Sequence, residues 1–184
     1  MKSAGEWRST SSRHSSRRAE TSRPAPSRRE PSKAHKGSKM QIRPIEPPDI
    51  PRWIELRARL WPQESRSELE AEGPVMLTAE PPLIVFVAEE NGPLVGFLEL
   101  GLRSVAEGCI SSPVPYVEGW YVEADRRRRG IGRALMNAAE GWSRAHGYTE
   151  IGSDTEVVNR LSRDAHAALG FEEVETLVIF RKSL

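Results

Sequence analysis

The sequence predicts a mixed α/β (α+β) domain, one sheet with helices on its faces. Three observations predict it. Short apolar runs of strand length, such as LIVFVA at 83–88 and VPYVEGWYV at 114–122, are bounded by Gly, Pro and Asn. Segments with apolar residues at helical spacing stand between them. The two kinds interleave as β-α-α-β-β-β-α-β-α-β-β, about six to seven strands and about four helices.

Taken in order, Gln41–Ile45 is a short strand. Ile50, Trp53, Ile54, Leu60 and Trp61 recur at helical spacing and predict a helix over about 49–60. Glu64–Gly73 reads as a second helix, ended by Gly73-Pro74. Leu83–Ala88 is a buried strand, Asn91-Gly92 a hairpin turn, and Leu94–Leu102 the returning strand. Val114–Val122 is the next strand. Gly130–His146 is a helix with Ile131, Leu135, Ala138 and Trp142 on one face and Gly147 as its C-terminal cap. Thr149–Ser153 is a strand. Asn159–Leu169 is a helix with Leu161, Ala165, Ala168 and Leu169 inward, and Phe171–Val174 and Thr176–Arg181 are the last strands. No internal repeat is visible.

The net charge of +1 hides two unlike parts. Residues 1–39 carry 11 Lys+Arg and 3 Asp+Glu, a balance of +8; residues 40–184 carry 16 and 23, a balance of −7. The first part is rich in Ser, Arg and Pro and holds one large apolar side chain after Met1, Trp7. It cannot bury enough surface to offset its ordering entropy, so it is expected to be disordered. It lacks the apolar stretch of a secretory signal. Its composition is that of a transit peptide, of a nucleic-acid-binding tail, or of vector or upstream sequence before a start at Met40; the last is favoured by the ordered pattern that opens there. One cysteine, Cys109, allows no internal disulfide and points to a reducing, cytoplasmic setting. No apolar run reaches the roughly 18 residues needed to cross a bilayer, and no metal-ligand spacing is present.

The stretch RRRRGIGRAL at 126–135 lies between a strand and a helix. A glycine-bearing turn there bares backbone N–H groups at the positive end of the helix, a site suited to a pyrophosphate. It matches neither the P-loop nor the three-glycine dinucleotide fingerprint. As a nucleic-acid patch it is one short cluster in an acidic domain with no aromatic platform beside it, so a nucleic-acid partner is expected only through residues 1–39. The pattern Arg127-x-x-Gly130-x-Gly132 resembles the R/Q-x-x-G-x-G/A signature of the GCN5-related N-acetyltransferases (GNAT). LRARLWP, SSPVPYVEGWYV, SDTEVVN and AHAALGFEEVETLVIFRK extend the resemblance, over about 40–184, to the aminoglycoside 6′-N-acetyltransferases.

The resemblance implies a GNAT fold with a largely antiparallel sheet, acetyl-CoA as co-substrate, and acetyl transfer to the 6′-amine of drugs such as kanamycin or tobramycin, hence resistance. It implies pyrophosphate contacts from Arg127, Arg128, Arg129, Gly130, Ile131, Gly132 and Arg133, with Asn159 as a further CoA contact; Asn159 is equally a good helix cap. It implies a sheet splayed beside Trp120, Tyr121 and Val122, where the pantetheine arm pairs and a free N–H, that of Val122, polarises the thioester carbonyl. It often brings a homodimer formed through the C-terminal strands.

For the acceptor, Glu118 sits in an apolar strand, so its carboxylate points into a cleft or is paired with an arginine. Asp154 closes the strand TEIGSD, where ligand crevices form, and is the candidate base as well as a binder of the amine; its alternative is a helix cap. Trp61 is an aromatic wall for an aminosugar or a core anchor. Glu64 follows in a substrate-facing segment, and Glu175 matches a position that contacts the drug or is a surface charge. His166 stands where many relatives carry a tyrosine able to protonate the departing thiolate; packing is its other role. The competing readings are a GNAT enzyme for a polyamine, another small amine or a protein amine, and a nucleic-acid binder led by the tail.

Overall fold

The structure, a computed structural model, describes residues 39–183. The N-terminal extension of 1–39 therefore falls outside the described residues except for Lys39. Five strands form one sheet in the order of the chain: β1 (Met40–Pro44), β2 (Ile84–Glu90), β3 (Leu94–Arg103), β4 (Val114–Val122) and β5 (Gly152–Ser153). The first three pairings are antiparallel and β4 with β5 is parallel. Four helices, α1 (Ile50–Leu60), α2 (Arg66–Thr78), α3 (Ile131–Ala145) and α4 (Arg160–Ala167), complete a mixed α/β fold.

Alternation along the strands builds two cores. Val85, Val87 and Phe97 face α1 and α2 and pack with Trp53, Ile54, Leu56 and Leu69. Phe86, Ala88, Leu98, Leu100 and Val117 face the other way and pack with Ile131, Leu135, Met136 and Ala139 of α3. The expected inner face of α3 is thus the face that is buried. Asn91 and Gly92 take positive φ, 55° and 118°, as a tight hairpin requires.

Three expectations differ from the structure. The helix over Glu64–Gly73 does not stop at Gly73-Pro74; α2 starts at a Ser65–Glu68 capping box and continues through Pro74 to Thr78. Gly73 serves close packing instead: a Cβ there would lie 2.6 Å from Ile54 Cδ1, so its absence lets α2 press on α1. Leu161 and Ala168 do not turn inward but are exposed, Leu161 to 63%. His166 instead faces the sheet, accepting from Ser153 Oγ on β5 and donating to Ser162 O within α4. The sheet has five strands rather than six or seven. Of Thr149–Ser153 only Gly152–Ser153 pairs, and Phe171–Val174 and Thr176–Arg181 pair with no strand. Strand propensity expresses fit to a half-buried pleated surface. The described residues offer these segments none, and Ile179 and Phe180 are 91% and 89% exposed. No described helix is long and apolar enough to cross a membrane.

Candidate active site

The two ends of the site are set by β4. On the β3 side, Gly119 pairs with Glu99 and Val117 with Leu100, so Glu118 is the extra residue of a bulge. The bulge aims its side chain at the α1 face, where Gly101 leaves room: a Cβ there would lie 2.8 Å from Glu118 Oε1. On the other side, β5 pairs only with Tyr116 and Val117, so from Glu118 to Val122 that edge of β4 is open to an extended ligand. The N–H of Glu123 donates to Val95 O on β3. Backbone groups alternate along a strand, which turns the N–H of Val122 to the open edge. The carbonyl of Val122 accepts from Arg127 Nε at 2.9 Å.

The loop after β4 makes a short 3-10 turn at Ala124–Arg126 and enters α3 through Gly130, at φ 84°. Ser65 and Asn159 cap α2 and α4, whereas α3 has no side-chain cap. Its first helical bond is Ala134 N–H to Gly130 O. The N–H groups of Ile131, Gly132 and Arg133 are thus left at the positive end of a 15-residue helix. Arg127, Arg128, Arg129 and Gly130 are exposed around them. Arg126 is not part of this fan, since its guanidinium pairs with Glu90 at 3.0 Å. The Arg133 side chain donates to Ala168 O at 2.8 Å, which leaves Arg133 its backbone N–H for an anion. The donors and the open edge together fit a pyrophosphate followed by an extended pantetheine arm. Asn159 caps α4, accepting from Ser162 N–H at 3.1 Å. Trp120 faces α3 and packs edge-on against His166, while Tyr121 faces Phe97 and lies under the Arg127 guanidinium, 5.7 Å from it.

On the α1 face a cleft of about 540 Å³ is lined by Arg57, Trp61, Glu64, Glu99, Gly101 and Glu118, among others. Glu118 accepts a bidentate pair from Arg103, at 2.9 Å to Nε and 2.5 Å to Nη2. The Arg103 guanidinium lies 3.6 Å over the Tyr116 ring, and the Tyr116 hydroxyl donates to Asp154 Oδ1 at 3.0 Å. Glu118 and Asp154 are therefore joined through Arg103 and Tyr116. Burial, then the bond to Asp154, push the Tyr116 hydroxyl well above its ordinary range, so it stays a donor. Asp154 is exposed just beyond β5. The Trp61 ring covers Gly119, where a Cβ would fall 2.7 Å from Trp61 Cη2. Beneath it, burial pushes the carboxyl of Glu99 up to about 7, against the pull of Arg57 and the Trp53 hydrogen bond.

Of the expected acceptor residues, the structure gathers Trp61, Glu64 and Glu118 at the cleft, with Asp154 tied to Glu118. Glu175 is exposed on the segment after Phe171 and does not line the cleft. His166 Nδ1 donates to Ser162 O at 2.8 Å, so Nε2 accepts from Ser153 Oγ at 2.9 Å. Both ring nitrogens are used within the protein, which is the packing role. The sequence reading missed Arg103, Tyr116, Arg57 and Glu99. For Glu99 a signal existed, since it interrupts the apolar strand LVGFLELGL as Glu118 interrupts its own.

An open strand edge beside an uncapped, glycine-led helix is the arrangement that the resemblance to the GNAT acetyltransferases implies. Residues 50–171 match the family model described as the acetyltransferase (GNAT) family, and the chain belongs to that family. It is 41% identical over 146 residues to the aminoglycoside N(6′)-acetyltransferase type 1 of Klebsiella aerogenes, covering 78% of this chain and 96% of that protein. The enzyme of the same name from Stenotrophomonas maltophilia is 40% identical over 151 residues, covering 78% and 93%. Among solved structures, aminoglycoside N-acetyltransferase AAC(6′)-Iy in complex with CoA superposes with a TM-score of 0.77 at 36% identity, over 82% of this chain and 99% of that one. The same enzyme in complex with the bisubstrate analog CoA-S-monomethyl-acetylneamine gives 0.75 at 36% identity, over 80% and 100%.

Proposed function

We propose that the protein transfers acetyl from acetyl-CoA to the 6′-amine of aminoglycoside antibiotics and so confers resistance. The observation that carries this reading is Glu118, in a cleft also lined by Glu64, next to the open edge of β4 and joined through Arg103 and Tyr116 to Asp154. Aminoglycosides are polycations, and a carboxylate-lined cleft concentrates them. Glu118 takes an ammonium of the drug in exchange for part of its bond to Arg103. Asp154, oriented by the Tyr116 hydroxyl, accepts the proton that frees the attacking amine. The Val122 N–H donates to the thioester carbonyl as charge develops on it. The α3 N-terminus and Arg127–Arg129 hold the pyrophosphate. Trp61 gives the sugar ring an apolar wall.

The reaction takes place with both substrates bound and needs no covalent enzyme intermediate. Cys109 lies away from the cleft, and its thiol is pushed up by burial and by Glu150, so it is no nucleophile. The test is thiol release from acetyl-CoA with a panel containing kanamycin, tobramycin and a polyamine. Release with the drugs is expected; release with the polyamine alone overturns the acceptor assignment and leaves the family intact. The exposed apolar run Val178–Phe180 supports a homodimer paired through the C-terminal segment, which sedimentation checks. The single thiol and the soluble co-substrate support a cytoplasmic setting.

A further inference from the structure

The acceptor cleft has a floor that the reaction above does not use. Glu99 is 1% exposed and Arg57 4%. Glu99 Oε1 accepts from Trp53 Nε1 at 2.8 Å and lies 3.0 Å from Arg57 Nε. Glu99 Oε2 and Arg57 Nη1 are buried without a hydrogen-bond partner among the described residues. The Arg57 guanidinium stands between two indoles, 5.1 Å from Trp53 and 5.0 Å from Trp61. The Trp61 ring lies over Gly119 beside Glu99 Oε2, and Arg57, Glu99 and Trp61 line the same cleft as Glu118.

Such a pair is a poor device for stability. Two charges have left water with their hydrogen-bonding capacity only partly met, and an apolar replacement of similar volume is often as stable. A charge kept at that cost directly beneath a substrate-facing ring points to a role in the site. We propose that Glu99 and Arg57 are positioning residues for the acceptor: Glu99 fixes the guanidinium, and the guanidinium holds the Trp61 ring as the wall against which the sugar packs. A ring already held in place loses less freedom when the ligand arrives, and a desolvated cation over an indole is the strong form of that contact. The inference rests on the reading of this cleft as the acceptor side.

The arrangement also ties acceptor binding to pH. From α1 the carboxyl of Glu99 meets Arg57; the turn after α1 brings Glu64; β3 brings Arg103; β4 brings Tyr116 and Glu118. Arg103 and Tyr116 are both pushed up, away from neutrality, whereas Glu99 is brought to about 7. Below neutrality Glu99 gains a proton, Arg57 loses its anchor and the floor becomes more positive.

The test is Glu99→Gln in the full chain, with each substrate varied in turn on both sides of neutrality. The acceptor KM is expected to rise about tenfold above neutrality while the acetyl-CoA KM stays within about twofold. Trp61→Ala should show the same split, the double variant should be no worse than Trp61→Ala alone, and Glu99→Asp should restore part of the loss. An unchanged acceptor KM, an equal rise for acetyl-CoA, or full additivity with Trp61→Ala overturns the proposal. If the wild-type chain acetylates no aminoglycoside, the functional reading falls by itself. The inference is then read from acrylamide quenching of Trp61, taken as the difference between wild type and Trp61→Phe. That quenching should increase in Glu99→Gln, and in wild type below neutrality; unchanged quenching overturns it.

Discussion

Replacing Glu99 by Gln should make the protein more stable above neutrality, and the structure sets the size. In the unfolded chain the carboxyl titrates near 4.5; desolvation by burial raises it to about 7, against the pull of Arg57 and the Trp53 hydrogen bond. Between these values the folded state holds a proton that the unfolded chain has released. Wild-type stability therefore falls as pH rises through that window and stays reduced above it. A difference of roughly 2.5 in pKa at about 1.4 kcal/mol per pH unit is on the order of 3–4 kcal/mol. Glutamine keeps the shape and the bond from Trp53 but carries no proton to lose. The two proteins should match below pH 4.5 and diverge up to 7, where Gln leads by up to about 3–4 kcal/mol, on the order of 10 °C in melting temperature. Urea unfolding followed by circular dichroism at the two ends of the window reads this directly, with an unchanged m-value as the control for two-state behaviour. A Gln variant less stable than wild type above neutrality would refute the reasoning. It would mean that the 3.0 Å pair with Arg57 outweighs the desolvation of both charges. A variant both more stable and poorer in acceptor binding is what a charge retained for function requires.

Three further outcomes follow from the same geometry. Gly119→Ala brings a Cβ to 2.7 Å from Trp61 Cη2; the ring must shift, stability drops by about 1–3 kcal/mol, and initial-rate kinetics should show a raised acceptor KM with acetyl-CoA unaffected. Gly130→Ala forces a side chain to φ 84° at the entry to α3, costing about 1–2 kcal/mol. It should weaken CoA binding by calorimetry, while spared CoA binding would remove the loop from the donor site. Leu135→Ala empties a fully buried position between α3 and the sheet. It should cost about 2–5 kcal/mol in thermal unfolding without favouring either KM.

The legible parts of this protein are those whose cause is local. The apolar runs of β2 to β4, the Asn91-Gly92 turn and the apolar face of α3 were readable because each depends on neighbours within a few residues. The loop proposed for the donor was readable for the same reason: strand, glycine, helix is a contiguous signal. Gly73-Pro74 misled because a glycine can serve a neighbouring helix as well as end its own, and only the approach of α2 to Ile54 distinguishes these uses. The C-terminal strands misled because propensity describes a surface that fits a sheet, while pairing needs a partner strand.

The acceptor side is where distance along the chain matters. Glu118 stood out as a carboxylate in an apolar strand and Asp154 as one at a strand's end, yet their connection runs through Arg103 and Tyr116, with Tyr116 and Asp154 38 residues apart. Trp53 and Glu99 are 46 apart. The sequence by itself determined the class of fold, the glycine-bearing turn before α3 and the residue types available for the chemistry, since these are matters of spacing and side-chain identity. Tertiary structure alone decided which arginine holds which carboxylate, which glycine lies under Trp61, and which buried acid titrates near neutrality. Those outcomes depend on desolvation and on contacts between segments far apart in the chain, and neither is present until the sheet has closed against α1.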